Sequence, residues 1–161
     1  MKRHAGLHAL SQHHHFALTQ ALEMRRATEA PVSQCPAALR AAAEMFLRFW
    51  EQAGQQHFRE EEEILLPAYG QHTRLDHDPA VARLLAEHAQ IRARVQALAA
   101  SLEASTVSEE AVAALGQALH DHVRFEENEV FPRMEATLGE ADLLALGRRL
   151  TPLHAKKSCE A

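Results

Sequence analysis

Two stretches of this chain carry the same order of side chains. His57-Phe-Arg-Glu-Glu61-Glu62-Glu-Ile-Leu-Leu-Pro67 recurs further along as His122-Val-Arg-Phe-Glu126-Glu127-Asn-Glu-Val-Phe-Pro132. In each, a histidine precedes a glutamate by four places, and a second glutamate, an apolar pair and a proline follow. On an α-helix that spacing puts imidazole and carboxylate on one face, one turn apart. A nitrogen and an oxygen so placed form a two-toothed clamp for iron, zinc or manganese. Two such clamps can close on a two-metal centre inside a helical bundle.

The elements around the motifs read as helices. A first spans about Leu7 to Glu29, with Leu7, Leu10, Leu18 and Leu22 on its apolar side. Pro31 and Pro36 bracket a short connection, and Pro36 suits the first turn of a second helix. That helix carries Phe46, Trp50, Ala53, His57, Glu61 and Ile64 along one stripe and is expected to end near Pro67. After a loop from Ala68, Asp78-Pro79 starts a third helix with the stripe Val81, Leu84/Leu85, His88, Ile91, Val95, Leu98 and Leu102. Ser108, followed by acids, caps a fourth with Val112, Leu115, Leu119, His122 and Glu126 on one face. Past Pro132 and Gly139, residues Glu140 to Leu150 form a short fifth.

The motif copies thus fall on the second and fourth helices. The expected fold is all-α, an up-down-up-down four-helix bundle of approximate two-fold symmetry with a short extra C-terminal helix. Residues 1–135 make the metal-binding bundle, and residues 136–161 make the short helix and a polar tail that frays.

Helices one and three must then supply further ligands at the same depth. His88 sits mid-stripe on the third, where an imidazole is costly unless bonded. On the first, His14 is centred on the leucine stripe, while His15 stands to Leu18 and Leu22 as His88 stands to Ile91 and Val95. Both are kept, with His14 slightly preferred. His13 is expected to face outward, as are Glu60, Glu62, Glu63, Glu127 and Glu129, although Glu62 and Glu127 neighbour the candidate ligands. His4, His8, His72, His77 and His154 fall in termini, loops or polar faces, and His120 points away from His122. Trp50 and Phe46 are read as core packing. A lone histidine–glutamate pair on a helix is usually solvated; the duplication, with His88 on an apolar stripe, favours a metal.

Bulk properties narrow the function classes. The 161 residues suit one domain rich in helix formers, with one Tyr, one Trp, six Gly and six Pro. A net charge of −5 and no Lys/Arg run with interleaved aromatics argue against nucleic acid. Cys35 and Cys159 make neither a disulfide framework nor a cysteine-rich zinc site, and read as free thiols. No apolar run suggests a signal peptide or a membrane span, so the expected location is the cytoplasm. No Gly-x-Ser-x-Gly, phosphate-cradling loop or Cys-x-x-Cys occurs, so no catalytic residue is assigned.

The motifs together resemble the hemerythrin-like HHE cation-binding domains. The likeness covers roughly residues 7 to 135 and is carried by Leu10-Ser11-Gln12-His13-His14-His15, His57-Phe-Arg-Glu-Glu61, Ala86-Glu87-His88 and His122-Val-Arg-Phe-Glu126. It implies that His57, His88 and His122 bind metals, that Glu61 and Glu126 bridge them, and that one of His14 and His15 completes the set. The implied cofactor is a non-heme pair of iron ions with an oxo or hydroxo bridge; manganese or zinc would also suit these ligands. Oxygen-carrying hemerythrins place two histidines one turn apart on the third helix, whereas Leu84 and Arg92 flank His88 here. That departure favours a response to dioxygen, nitric oxide or peroxide, or iron handling, over dedicated oxygen carriage. Two alternatives are a small di-iron oxidase, peroxidase or nitric-oxide-handling enzyme, and a structural bundle holding zinc or no metal. A sensor of this size would signal through the fifth helix, a protein partner or a homo-oligomer.

Overall fold

The computed structural model describes residues 3–151; the tail with His154 and Cys159 lies outside them. Among the described residues all regular structure is helical. A 3₁₀ turn, Ala5–Leu7, leads into α1, His8–Thr28. The second rod, α2, runs unbroken over residues 35–69, with Pro36 in its first turn. α3 is Pro79–Glu103, α4 covers residues 109–137, and α5 is Glu140–Arg149. Asp78 Oδ1 accepts from the Ala80 N–H at 2.9 Å and Ser108 Oγ from that of Ala111 at 3.1 Å, so both expected N-caps form. No described helix is long and apolar enough to cross a membrane.

The second and fourth rods do not stop at their prolines. A proline inside a regular helix crowds the carbonyl four residues back and donates no hydrogen bond. Here a wide π turn precedes each: Leu66 N–H bonds Glu61 O, and Phe131 N–H bonds Glu126 O, both five residues back. The extra room lets Pro67 and Pro132 be accommodated and the helices continue to Tyr69 and Thr137. A third π turn, Trp50–Gly54, lies earlier in α2. There the Trp50 indole lies over Gly54, where a Cβ would come within 2.5 Å of Cε3.

α1 packs on α2 and α4, and α3 packs on the same two, so four helices close a ring. The α1–α4 contact depends on small residues. Ala17 and Ala21 are buried while Leu18 and Leu22 are only partly so, and a Cβ on Gly116 would lie 3.1 Å from Met24 Cβ. The buried face of α1 is therefore Leu10, His13, His14, Ala17, Ala21 and Met24, rotated from the leucine stripe. Close backbone approach, which alanine and glycine permit, outweighs the larger apolar area of leucine here. α5 lies against the N-terminal turn, where a Cβ on Gly6 would overlap the Leu143 carbonyl and one on Gly147 would come within 3.0 Å of Gly6 Cα.

Two apolar clusters fill the interior. One holds Ala17, Trp50, Phe58, Ile91, Leu119 and Val123; the other holds Leu10, Leu65, Leu84, Val130 and Phe131. On each of the four helices the change from one cluster to the other falls at the candidate site residues. A polar layer thus lies sandwiched between two dry ones.

Candidate metal centre

The four-residue spacing in α2 and α4 does what helical geometry requires. His57 Nε2 lies 3.4 Å from Glu61 Oε1, and His122 Nε2 lies 3.1 Å from Glu126 Oε1. Ring closure of the bundle adds the other helices. From α1, His14 Nε2 reaches 3.0 Å from Glu126 Oε2 and 3.1 Å from His57 Nε2. From α3, His88 Nε2 lies 3.1 Å from Glu61 Oε2 and 3.7 Å from Glu126 Oε1.

These side chains form two overlapping groups of four. His14, His57, Glu61 and Glu126 make one; Glu61, His88, His122 and Glu126 make the other; within each, one nitrogen or oxygen per residue lies within 4.8 Å of the rest. Both carboxylates belong to both groups. All four oxygens of Glu61 and Glu126, with Nε2 of His88 and of His122, are buried without a hydrogen-bond partner. Buried polar atoms are normally satisfied, and this many converging on one point fit a group that accepts electron pairs from all of them at once.

The charges reflect the same crowding. Burial and the Glu126 carboxylate push the Glu61 carboxyl up, so it resists ionisation. Burial acts likewise on Glu126, but His122, His14 and His88 outweigh it and hold Glu126 well below the usual range. Burial also opposes charge on the imidazoles, yet the carboxylates prevail at three, raising His14 and His88 to about 9 and His122 to about 10. His57 differs: burial and its neighbour His14 drive it down, so it stays neutral.

An outer ring orients the inner one. His14 Nδ1–H donates to Glu127 Oε1 at 2.6 Å, His88 Nδ1–H to Glu62 Oε1 at 2.7 Å and His122 Nδ1–H to Glu87 Oε2 at 2.9 Å. Burial disfavours charge on these three carboxylates, but bonds from Arg92 and His88 to Glu62, from His122 and Arg83 to Glu87, and from His14, Ser11 and Arg3 to Glu127 keep all three depressed, Glu127 to about 2. An ionised carboxylate can only accept, so each keeps a proton on Nδ1, and the proton each imidazole would give up to a cation is the one on Nε2, whose lone pair would then face the centre.

His57 has a different partner. Its Nδ1 lies 3.2 Å from His13 Nδ1, and His13 Nε2 lies 3.0 Å from the Thr151 carbonyl. A carbonyl only accepts, so the His13 proton sits on Nε2 and its Nδ1 receives the His57 Nδ1–H. The lone pair of His57 Nε2 is thereby turned inward as well. Aromatic faces complete the support, with Phe58 stacked on His88 at 3.8 Å between centroids and Phe131 on His14 at 5.2 Å.

A family model for the hemerythrin HHE cation binding domain matches residues 5–134. The chain belongs to that family. Comparison with curated proteins and with solved structures found no match. The two buried groups of histidine and glutamate could each hold a metal ion, as expected of an HHE cation-binding domain.

Within this HHE domain, His14, His57, Glu61, His88, His122 and Glu126 come together, and His15 does not. His15 is exposed on the far side of α1, because the helix turns its alanine face inward and carries His14 with it. The same rotation buries His13, expected outside, at 2 % exposure. Glu60, also expected in solvent, is buried; its Oε1 accepts from Gln56 Nε2 at 2.8 Å and from the Thr151 N–H at 3.1 Å. Glu62 and Glu127 are half-buried supports, whereas Glu63 and Glu129 are exposed as expected. His120 is exposed, and His72 pairs with Asp142 at 3.0 Å away from the centre.

The outer supports have a partial signature in sequence. Glu62 and Glu127 occupy the same place in the two motif copies, and each reaches the histidine of a neighbouring helix. The wide turn starting at Glu61 or Glu126 puts more residues in each turn, so adjacent side chains diverge less and both glutamates of a pair can reach imidazoles. Glu87 and His13 are likewise equivalent, each preceding an inner histidine. Only the carboxylate–imidazole difference between them breaks the pattern.

Proposed function

We propose that this HHE domain holds two cations, iron in the working protein, and uses them to bind or respond to a small diatomic ligand such as dioxygen or nitric oxide. His14 and His57 would hold one cation, His88 and His122 the other, with Glu61 and Glu126 shared between them in an up-down-up-down bundle. The observation that carries this is the sharing itself: two groups of buried donors meet at a common pair of carboxylates. Iron so held supplies electron exchange and an affinity for small ligands. The chain's part is to fix the imidazole tautomers through Glu62, Glu87, Glu127 and His13, and to keep water scarce.

A small cavity supports the choice of ligand. It lies beside His14, His57 and His122, walled by Phe49, Trp50 and Phe58, with room for about one water-sized molecule. A diatomic fits such a space and an organic substrate does not.

Protein purified without added metal is expected to contain about two iron ions per chain. It should also gain a near-ultraviolet absorption band when the anaerobically reduced form meets air. Less than about half a metal ion per chain, or zinc alone with no spectral change, would sink the proposal.

Cation binding should also be steeply weakened by acid. In the cation-free chain His14, His88 and His122 are held protonated and Glu61 resists ionisation, so loading must expel protons. Lowering the pH from about 8 to about 6 therefore reduces affinity, and an unbuffered titration acidifies as metal is added. A pH-independent affinity would contradict this assignment of donors.

A further inference from the structure

The two halves of the centre are supported by different parts of the chain. On the His88/His122 side, Arg92 donates to both oxygens of Glu62 at 2.7 and 3.0 Å, and Arg83 Nε donates to Glu87 at 2.7 Å. Both arginines sit on α3, a helix of 25 residues, Arg83 in its second turn and Arg92 near its middle. Their geometry is fixed by the bundle itself.

On the His14/His57 side the supporting groups are held, besides Ser11 at 2.7 Å from Glu127, by residues outside the four bundle helices, before α1 and after α5. Arg3 Nη2 donates to Glu127 Oε2 at 2.8 Å and to the Glu127 carbonyl at 2.7 Å, and Glu127 holds His14. Thr151 is gripped at both its backbone groups: its N–H by Glu60 at 3.1 Å and its carbonyl by His13 at 3.0 Å, and His13 holds His57. The two ends also bind each other. The N-terminal turn is seated on α5 at Gly6 and Gly147, and His4 Nε2 lies 3.1 Å from Glu140 Oε2.

The N-terminal turn and α5 form one short unit, seated on the second apolar cluster through Leu7, Leu143, Leu146 and Leu150, and a unit of this kind opens locally at lower free energy than the whole bundle. When it opens, Glu127 loses Arg3 and keeps Ser11, and His13 loses Thr151, so the supports of His14 and His57 slacken while those of His88 and His122 stay held. Even when closed, His57 leans on a neutral imidazole where its counterpart His122 leans on a carboxylate, so it is the poorer electron donor.

We propose that the His14/His57 position is the weaker, exchangeable cation site and that its occupancy is coupled to docking of the N-terminal turn and α5 onto the bundle. The proposal rests on the two-cation reading above. Coupling is reciprocal: filling the position tightens the ends, and lifting the ends releases the cation. The terminal unit is then the part of the molecule that reports, or controls, whether the centre is complete.

Anaerobic titration of the full chain with cobalt(II) as the probe, followed by calorimetry and visible absorption, tests this. Wild type should bind two cobalt ions in separable steps. Arg3→Gln should weaken the second step by ~10–100-fold and leave the first within about twofold, while Arg92→Gln should weaken the first. Neither arginine belongs to the proposed ligand set, and both substitutions keep a hydrogen-bonding side chain. Hydrogen exchange on wild type supplies an arm that needs no variant: amides of residues 138–151 should slow on the second equivalent of cobalt and not on the first. Uptake of two ions in one inseparable step, weakening of the same step by both variants, or slowing of those amides with the first equivalent overturns the coupling but leaves the two-cation centre standing. Uptake of one ion or none overturns both.

Discussion

Glu126→Ala is expected to strip both cations from the protein, taking the metal content from about two per chain to below about a tenth of that. Glu126 Oε2 lies 3.0 Å from His14 and its Oε1 3.1 Å from His122, and the residue belongs to both donor groups. Loss of a support outside the ligand set commonly costs ~10–100-fold in metal affinity, and loss of a shared carboxylate must cost more. Glu61→Ala should behave the same way, since Glu61 is also common to both groups. His122→Ala removes a donor from one group only, so a cation on the His14/His57 side can persist. His72→Ala, which disturbs only a surface contact to Asp142, should leave metal content unchanged. Elemental analysis of the four variants, with circular dichroism to check folding, decides the matter. Equal loading in Glu126→Ala and His72→Ala would refute the ligand assignment.

Chelation should lower the melting temperature substantially. Ligands drawn from α1, α2, α3 and α4 meet only in the native bundle, so the unfolded chain has no comparable site and cation binding adds directly to stability. At a free cation concentration ~1,000 times Kd the linkage is worth about 4 kcal/mol per site. For a domain of this size each kcal/mol moves the midpoint by about 2–4 °C, so one filled site shifts it by ~8–16 °C. The cation-free bundle carries two carboxylates fully buried between apolar layers, which adds to the contrast. Differential scanning calorimetry with and without a chelator measures the shift. A midpoint indifferent to iron and chelator would show that these side chains do not meet around a cation.

Much of this centre was legible because it obeys helical periodicity within single segments. His57 with Glu61, and His122 with Glu126, are local pairs, and a spacing of four guarantees that they share a face once the segment is helical. His88 stood out because an imidazole on an apolar stripe needs a partner. The Asp78 and Ser108 caps were readable for the same local reason: the side chain bonds its own helix start.

The first helix was less legible. Hydrophobicity points to Leu18 and Leu22, yet the buried face follows Ala17, Ala21 and Met24, because α1 approaches α4 across Gly116. Which of His13, His14 and His15 faces inward depends on that approach, since neighbouring residues differ by only a fraction of a turn. A proline misled in a similar way. Pro67 reads as a stop, and the π turns that let α2 pass it, and α4 pass Pro132, have no signature in composition.

Residue types and their recurrence were enough to specify helices and a duplicated clamp, because those properties depend on neighbours three or four places apart; the motif strings themselves carried the resemblance to a cation-binding family. Long-range packing alone settled which histidine of the triplet joins the buried cluster, how Glu62, Glu87, Glu127 and His13 hold its imidazoles, and how Arg3 and Thr151 reach those supporting groups. Those contacts join residues more than twenty positions apart, as between His88 and Glu62, and in one case span residues 13 to 151. Their geometry exists only when the bundle closes, since no local interaction sets the distance or rotation between separate helices.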